Sequence, residues 1–98
     1  MYRRPRSRAI STSTPTPPPT ITLYSRPGCH LCDEAREALH RVRSRTAFKL
    51  EEIDITSDDE LHRRYLERIP VVALGDEELF DFFVDEAALE VRLYRLPG

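Results

Sequence analysis

The two cysteines of this chain stand three positions apart, in the stretch Ser25-Arg26-Pro27-Gly28-Cys29-His30-Leu31-Cys32. No other feature constrains the fold as much, because the pair falls where one periodicity gives way to another. Before it, Ile21-Thr22-Leu23-Tyr24 alternates apolar and polar, as a half-buried strand does. After it, Leu31, Ala35, Ala38, Leu39 and Val42 recur at helical spacing. A cysteine at the first turn of a helix meets unpaired N–H groups and the positive end of the helix dipole, which favour thiolate over thiol. A second cysteine one turn along is close enough to form a small disulfide. A thiolate that attacks a disulfide, backed by a thiol that expels the product, is the minimum machinery for thiol–disulfide exchange.

Two other readings of the pair are a structural disulfide and half of a metal site. A bridge across two residues restrains little chain. Tetrahedral zinc takes four ligands, and the sequence has no second C-x-x-C and no H-x-x-x-H. His30 supplies a third ligand at most, so the expected metal is none.

The chain has 98 residues, enough for one domain, with 40% hydrophobic and 33% charged residues. No apolar run approaches the roughly 20 residues of a membrane helix. No apolar segment follows the N-terminal arginines, so a secretory signal is not expected. A redox-spaced pair in such a chain fits a reducing cytoplasm, where a dithiol can turn over. The net charge of −2 is uneven. Residues 1–20 hold Arg3, Arg4, Arg6 and Arg8 and no acid, a charge of +4 that leaves −6 on the remainder. An acidic domain is a poor partner for nucleic acid.

Residues 1–19 carry Pro5, Pro15, Pro17, Pro18 and Pro19 among Ser and Thr. This composition reads as a disordered tail with polyproline II character, and residues 20–98 as the folded domain. The alternative, an organelle transit peptide, requires an amphipathic face that the tail has little apolar content to form.

The spacing predicts a strand over 20–25, a helix over 29–44 with a solvated face of Glu34, Glu37, Arg41 and Arg45, and a strand over 48–55. The alternation of that second strand breaks at Glu51-Glu52, where a bulge or change of face is expected. Ser57 and Glu60 form a capping box for a helix reaching about Arg68, with Leu61, Tyr65 and Leu66 inward and Arg63, Arg64 and Arg68 outward. Ile69–Leu74 opens a strand with a proline near its start. A turn at Gly75-Asp76-Glu77 leads into an antiparallel strand over 79–84. Asp85 caps a last helix over 86–94, with Ala88, Leu89, Val91 and Leu96 as its buried side, and Pro97-Gly98 ends it. The order βαβ-ββα implies an α/β domain with a parallel pair joined by a right-handed crossover.

The strand leading into Cys29-His30-Leu31-Cys32, the second strand ending in Ile53-Asp54-Ile55, and Ile69-Pro70-Val71-Val72 together resemble the glutaredoxin-like branch of the thioredoxin superfamily, over about residues 20–95. The resemblance implies a thioredoxin-like fold, a four-stranded mixed sheet with three helices. It implies Cys29 as nucleophile, Cys32 as resolving thiol, and a cis peptide bond before Pro70. The Ile69 backbone would pair with bound peptide or glutathione. Arg26 stands where related proteins often place a lysine, and with His30 it would tune the Cys29 thiolate by its charge. The expected partners are a disulfide-containing protein or small thiol, plus glutathione or a reductase to reset the pair, acting on a monomer. The chain departs from the family at the glycine pair that opens the last helix of glutathione-using members. Phe83-Val84-Asp85-Glu86 stands there, and His30-Leu31 replaces the Pro-Tyr between the cysteines. With Val84 and two acids at that place, weak glutathione recognition is expected. A non-catalytic adaptor or metal-binding module of the same fold is the alternative function.

Overall fold

The structure is a computed structural model, and it describes residues 18–95. The tail reading therefore lies, for residues 1–17, outside the described residues, as do Leu96, Pro97 and Gly98. The elements are β1 (Thr20–Ser25), α1 (His30–Arg43), β2 (Lys49–Asp54), a 3-10 turn (Ile55–Ser57), α2 (Asp59–Tyr65), β3 (Val71–Leu74), β4 (Glu77–Asp81) and α3 (Glu86–Tyr94). The four strands form one mixed sheet in the order β2-β1-β3-β4. β1 runs parallel to β2 and antiparallel to β3, and β3 pairs antiparallel with β4. This is the α/β architecture expected from the sequence.

Strand alternation sorts the side chains onto two faces. Ile21, Leu23, Val72 and Leu74 join Ala35, Leu39 and Val42 of α1 and Leu89 and Leu93 of α3 in the main core. On the opposite face, Val71 packs with Ile55, Tyr65, Ile69 and Cys32, with Tyr24, Cys29 and Leu61 partly buried against them. The second, smaller core reaches the C-terminal end of β1, where the cysteines stand.

Several local expectations are corrected. The buried stripe of α1 begins at Cys32, which is wholly buried, whereas Leu31 is 44% exposed. Both spacings fit a helix, and the cysteine takes the inward position. Of the two outcomes expected at Glu51-Glu52 the strand shows the change of face, with Leu50 and Ile53 partly buried on opposite sides, and no bulge, since β1 and β2 pair without interruption from Thr20↔Lys49 to Ser25↔Asp54. The irregularity lies in the β3–β4 ladder instead, where Leu79 has no partner between Val72↔Phe80 and Ala73↔Glu78. The cap of α2 is Asp58, whose carboxylate accepts from the N–H groups of Glu60 and Leu61. Ser57 is not free for that role because Asp54 has already capped a 3-10 turn that contains it. α2 stops at Tyr65, leaving Leu66 exposed, and Arg68 folds back onto Glu78 and Asp81. On α3 the buried residues are Leu89 and Leu93, while Ala88 and Val91 face solvent. Arg41 of α1 and Arg45 just past its end hold Glu86 and Glu90, a pair one turn apart on α3, on the side away from solvent-facing Val91. On the face expected to be solvated, Arg41 instead bridges to Glu86 at 2.8 Å.

One ion-pair network ties α1 to the sheet. The Arg36 guanidinium donates from Nε to Glu52 Oε1 at 2.8 Å and from Nη2 to Oε2, and from Nη1 to Asp33 at 2.8 Å. The buried Ser25 hydroxyl donates to the same Glu52 carboxylate at 2.8 Å. A fork-shaped guanidinium matched to a carboxylate fixes orientation as well as distance. Arg36, then Ser25, hold the Glu52 carboxyl below the usual carboxylate range. A lowered acid contributes stability that is present above its unfolded pKa and lost as pH falls through its folded value. The urea midpoint should therefore drop between pH 7 and pH 3, and Glu52→Gln should start lower at pH 7 and lose less over that interval. Identical losses for the two proteins would mean that the network does not contribute.

Candidate functional site

Gly28 makes the turn from β1 into α1. Its φ is +74°, and no atom lies near the position of a missing Cβ, so the backbone angle rather than space calls for glycine. Cys29 follows with extended dihedrals and occupies the N-cap of α1. Its sulfur accepts the N–H of Cys32 at 3.1 Å, in the place where Ser, Thr or Asp usually serves. The two sulfurs are joined in a disulfide, with the Cα atoms 5.1 Å apart. Cys29 keeps part of its surface open, and Cys32 lies wholly inside the second core.

Ile69 and Pro70 come to the same place from the other side. The Ile69–Pro70 peptide bond is cis, and both residues are buried. The Ile69 side chain belongs to the cluster that contains Cys32 and touches Cys29. Among the described residues its N–H and C=O make no backbone hydrogen bond. Tyr24 and Tyr65 stack below this cluster with ring centroids 4.6 Å apart, and the Tyr65 hydroxyl donates to Glu78 at 3.0 Å. Burial, followed by the neighbouring Tyr65, pushes the Tyr24 phenol above its ordinary pKa.

The two residues expected to tune the thiolate are arranged differently from one another. Arg26 is exposed and lines a groove with Ser25, Pro27 and Asp54, and makes no hydrogen bond to the Cys29 sulfur. His30 is also exposed and is held by Glu34 one turn along, Nε2 to Oε2 at 2.9 Å. Any influence of either side chain on Cys29 is thus through space and open to solvent screening. Among the described residues no group of three His, Cys, Asp or Glu is placed to hold a metal, and no helix is long and apolar enough to cross a membrane.

The loop between β4 and α3 departs from the expected strand. β4 ends at Asp81 because Phe82 adopts a φ of +70°. The Phe83 N–H donates to the Asp81 carbonyl at 2.8 Å, closing a three-residue γ-turn around Phe82. This turn is rare for a bulky side chain and costs about 1–3 kcal/mol in backbone strain. The Phe82 N–H donates to the Pro70 carbonyl at 2.9 Å, which ties the turn to the proline loop. The result is two exposed phenylalanines, Phe82 at 49% and Phe83 at 68%. The sequence reading missed them because Leu79-Phe80-Asp81-Phe82-Phe83-Val84 has the composition of a strand and no glycine to signal a positive φ. Val84 packs partly against the main core, Asp85 caps α3 by accepting from the Ala88 N–H at 3.1 Å, and Glu86 is taken up by Arg41 and Arg45. Arg41 first, then Arg45, hold the Glu86 carboxyl below its usual range.

Chemically, the arrangement offers one partly open cysteine at a helix N-terminus, one buried cysteine bonded to it, and an unpaired stretch of backbone beside both. Comparison with known proteins agrees with this geometry. Residues 20–94 match the family model of the glutaredoxin-like domain (DUF836). A glutaredoxin-like protein of Dictyostelium discoideum is 31% identical over 77 residues, covering 70% of this chain and 69% of its own. The solution structure of protein Ne2328 from Nitrosomonas europaea is 33% identical, with a TM-score of 0.72, over 82% of this chain and 96% of that one. A mutant thioredoxin from Halobacterium salinarum shares the fold at 17% identity and a TM-score of 0.61, over 84% of this chain and 80% of that one. The chain belongs to the glutaredoxin-like domain family, with the thioredoxin-like fold and a Cys29-x-x-Cys32 pair at the start of its first helix.

Proposed function

We propose that this protein is a thiol–disulfide oxidoreductase that works through the Cys29/Cys32 pair. The observation that carries the reading is the asymmetry of the pair, a half-buried N-cap cysteine whose sulfur accepts a helix N–H and a wholly buried partner bonded to it. In the reduced state, the Cys29 thiolate attacks one sulfur of a substrate disulfide. The new mixed disulfide forms as the substrate S–S bond breaks, and the released substrate thiolate takes up a proton. Cys32, deprotonated, then attacks the Cys29 sulfur and expels the second substrate sulfur as a thiol. Two electrons have passed to the substrate, and Cys29–Cys32 is left oxidised. Glutathione or a reductase resets it. Ile69, with free backbone groups next to the cysteines, pairs with the substrate chain, and Pro70 holds that segment in place. Arg26 and His30 favour the thiolate through their charge. The acidic domain suits disulfide-bearing protein or small thiol partners in the cytoplasm, with the protein acting as a monomer and no cofactor or metal bound.

At an unperturbed pKa near 8.5, about 3% of a thiol is ionised at pH 7. The helix N-terminus lowers this value. In the Cys32→Ser variant, alkylation of Cys29 should follow a pKa at least one unit below 8.5, and the Cys29→Ser variant should be alkylated at Cys32 at least tenfold more slowly at pH 7. Equal rates titrating near 8.5 at both cysteines would remove the assignment of nucleophile and resolving thiol.

Glutathione is proposed as a weak substrate. Asp85 occupies an α3 N–H that a carboxylate ligand could use, and Phe83-Val84 stands where glutathione-using relatives are expected to carry glycines. A glutathione-coupled assay should run at least tenfold slower than with a dithiol glutaredoxin alongside, while a protein disulfide is reduced readily with dithiothreitol as the reductant. Matching glutathione-coupled rates would contradict this.

A further inference from the structure

Half of the large apolar side chains exposed among the described residues lie on one side of the disulfide: Leu31, Phe82 and Phe83, against Leu66, Val91 and Tyr94 elsewhere. Together with Ala35, Ala38 and Val84 they line a groove of about 150 Å³ between α1 and the loop that opens α3. Leu31 is one of the two residues between the cysteines, so the groove begins at the redox pair itself. Its far wall is fixed by the γ-turn at Phe82 and by the Phe82 N–H bond to the Pro70 carbonyl, on the loop that carries Ile69 past Cys29. A strained turn with a bulky residue at positive φ is maintained only where the surroundings hold it, and here it presents two rings to solvent.

The charges on the rim decide what fits. Glu86 is bridged to Arg41 at 2.8 Å and Glu34 is held by His30 at 2.9 Å, so both rim carboxylates and the Arg41 guanidinium already have partners and offer little to an ionic ligand. Glutathione is anionic and has no bulky apolar side chain, so it leaves such a groove empty. A single leucine-sized side chain matches the volume. We infer that the groove formed by Leu31, Phe82 and Phe83 is a specificity subsite that receives an uncharged, bulky apolar side chain next to the cysteine of a protein substrate. This rests on the dithiol exchange proposed above and names the substrate class of that same site. The substrate would then be a protein segment held at three places, its sulfur at Cys29, its backbone at Ile69 and an apolar side chain between the phenylalanines.

The test uses the full-length reduced protein in single turnover, with no other reductant. The probes are disulfide-linked dimers of seven-residue glycine–serine peptides with a central cysteine. One has serine at every neighbouring position, and four carry a single leucine at one of the two positions on either side. The dithiol and the dimer yield the protein disulfide and two peptide thiols, which chromatography counts. At least one leucine peptide should react about tenfold faster than the serine peptide, as burial of one such side chain allows. Phe83→Ser should bring that ratio close to one. Phe82→Gly should do the same, and because glycine adopts φ near +70° freely, it removes the ring without forcing the turn to change. Val91→Ser, which removes an exposed apolar side chain outside the groove, should retain the ratio. Equal rates for all peptides in the parent protein would overturn the subsite and leave the exchange chemistry standing. No reaction with any peptide would overturn both. Faster reaction with glutathione disulfide than with every leucine peptide would reassign the groove, as would a dimer in sedimentation that Phe83→Ser abolishes, since a second copy of the chain would then be its occupant.

Discussion

The contact on which the site depends is the one between the Cys29 sulfur and the N–H of Cys32. Because Cys29 is the N-cap, the chain must leave β1, reverse at Gly28 and enter the helix within four residues. That fixes Cys29 at the sheet end and sends Cys32 inward, one turn along, into the cluster of Ile55, Tyr65, Ile69 and Val71. The proposed division of labour between the sulfurs rests on that difference in position. Cys29 is partly open to solvent at the helix N-terminus, and Cys32 is wholly buried. The rest of α1 holds this start in place. Its buried stripe seats it on the sheet, and Arg36 locks its first turns to Glu52 on β2.

Much of the fold was legible because hydrophobic period and turn chemistry agree along most of the chain. β1, α1 and α3 lie within about a residue of their expected limits, since each has a clear period and a sharp boundary: Gly28 before α1, Asp85 before α3. What could not be read was settled by contacts distant in sequence. Leu31 and Cys32 compete for one inward position, and only the second core, built from residues past 50, decides between them. The rotation of α3 turns Glu86 and Glu90 toward Arg41 and Arg45, which lie 41 to 45 residues away in sequence. Ser57 lost its capping role to Asp58 because of Asp54, whose carboxylate no helical period reveals.

The β4–α3 loop is where local pattern and tertiary structure disagree most. A run of apolar and β-favouring residues turns out of the sheet at Phe82, against the preference of a bulky residue for negative φ. Such disagreements are expected at strained or functional positions. In the chain's relatives that use glutathione, the resemblance places glycines at the start of the last helix, which admit a ligand backbone. Here the same place is built outward, with two rings exposed and with the neighbouring acids committed to a helix cap and to Arg41 and Arg45. The fold is thus shared with the chain's relatives, and the β4–α3 loop is where this sequence departs from the pattern the resemblance implies.

Thiol–disulfide exchange requires the cysteine pair to be a working redox couple, and equilibrium thiol counting tests that directly. The full-length protein is brought to equilibrium across a series of glutathione redox buffers, quenched with acid and alkylated, while circular dichroism follows the fold. Cys29 and Cys32 should change together, two thiols at a time, along one reversible curve approached equally from the oxidised and reduced sides, with the helical signal unchanged. A pair that stays reduced at every ratio in a folded protein, or one that is reduced only as the fold is lost, would contradict the account.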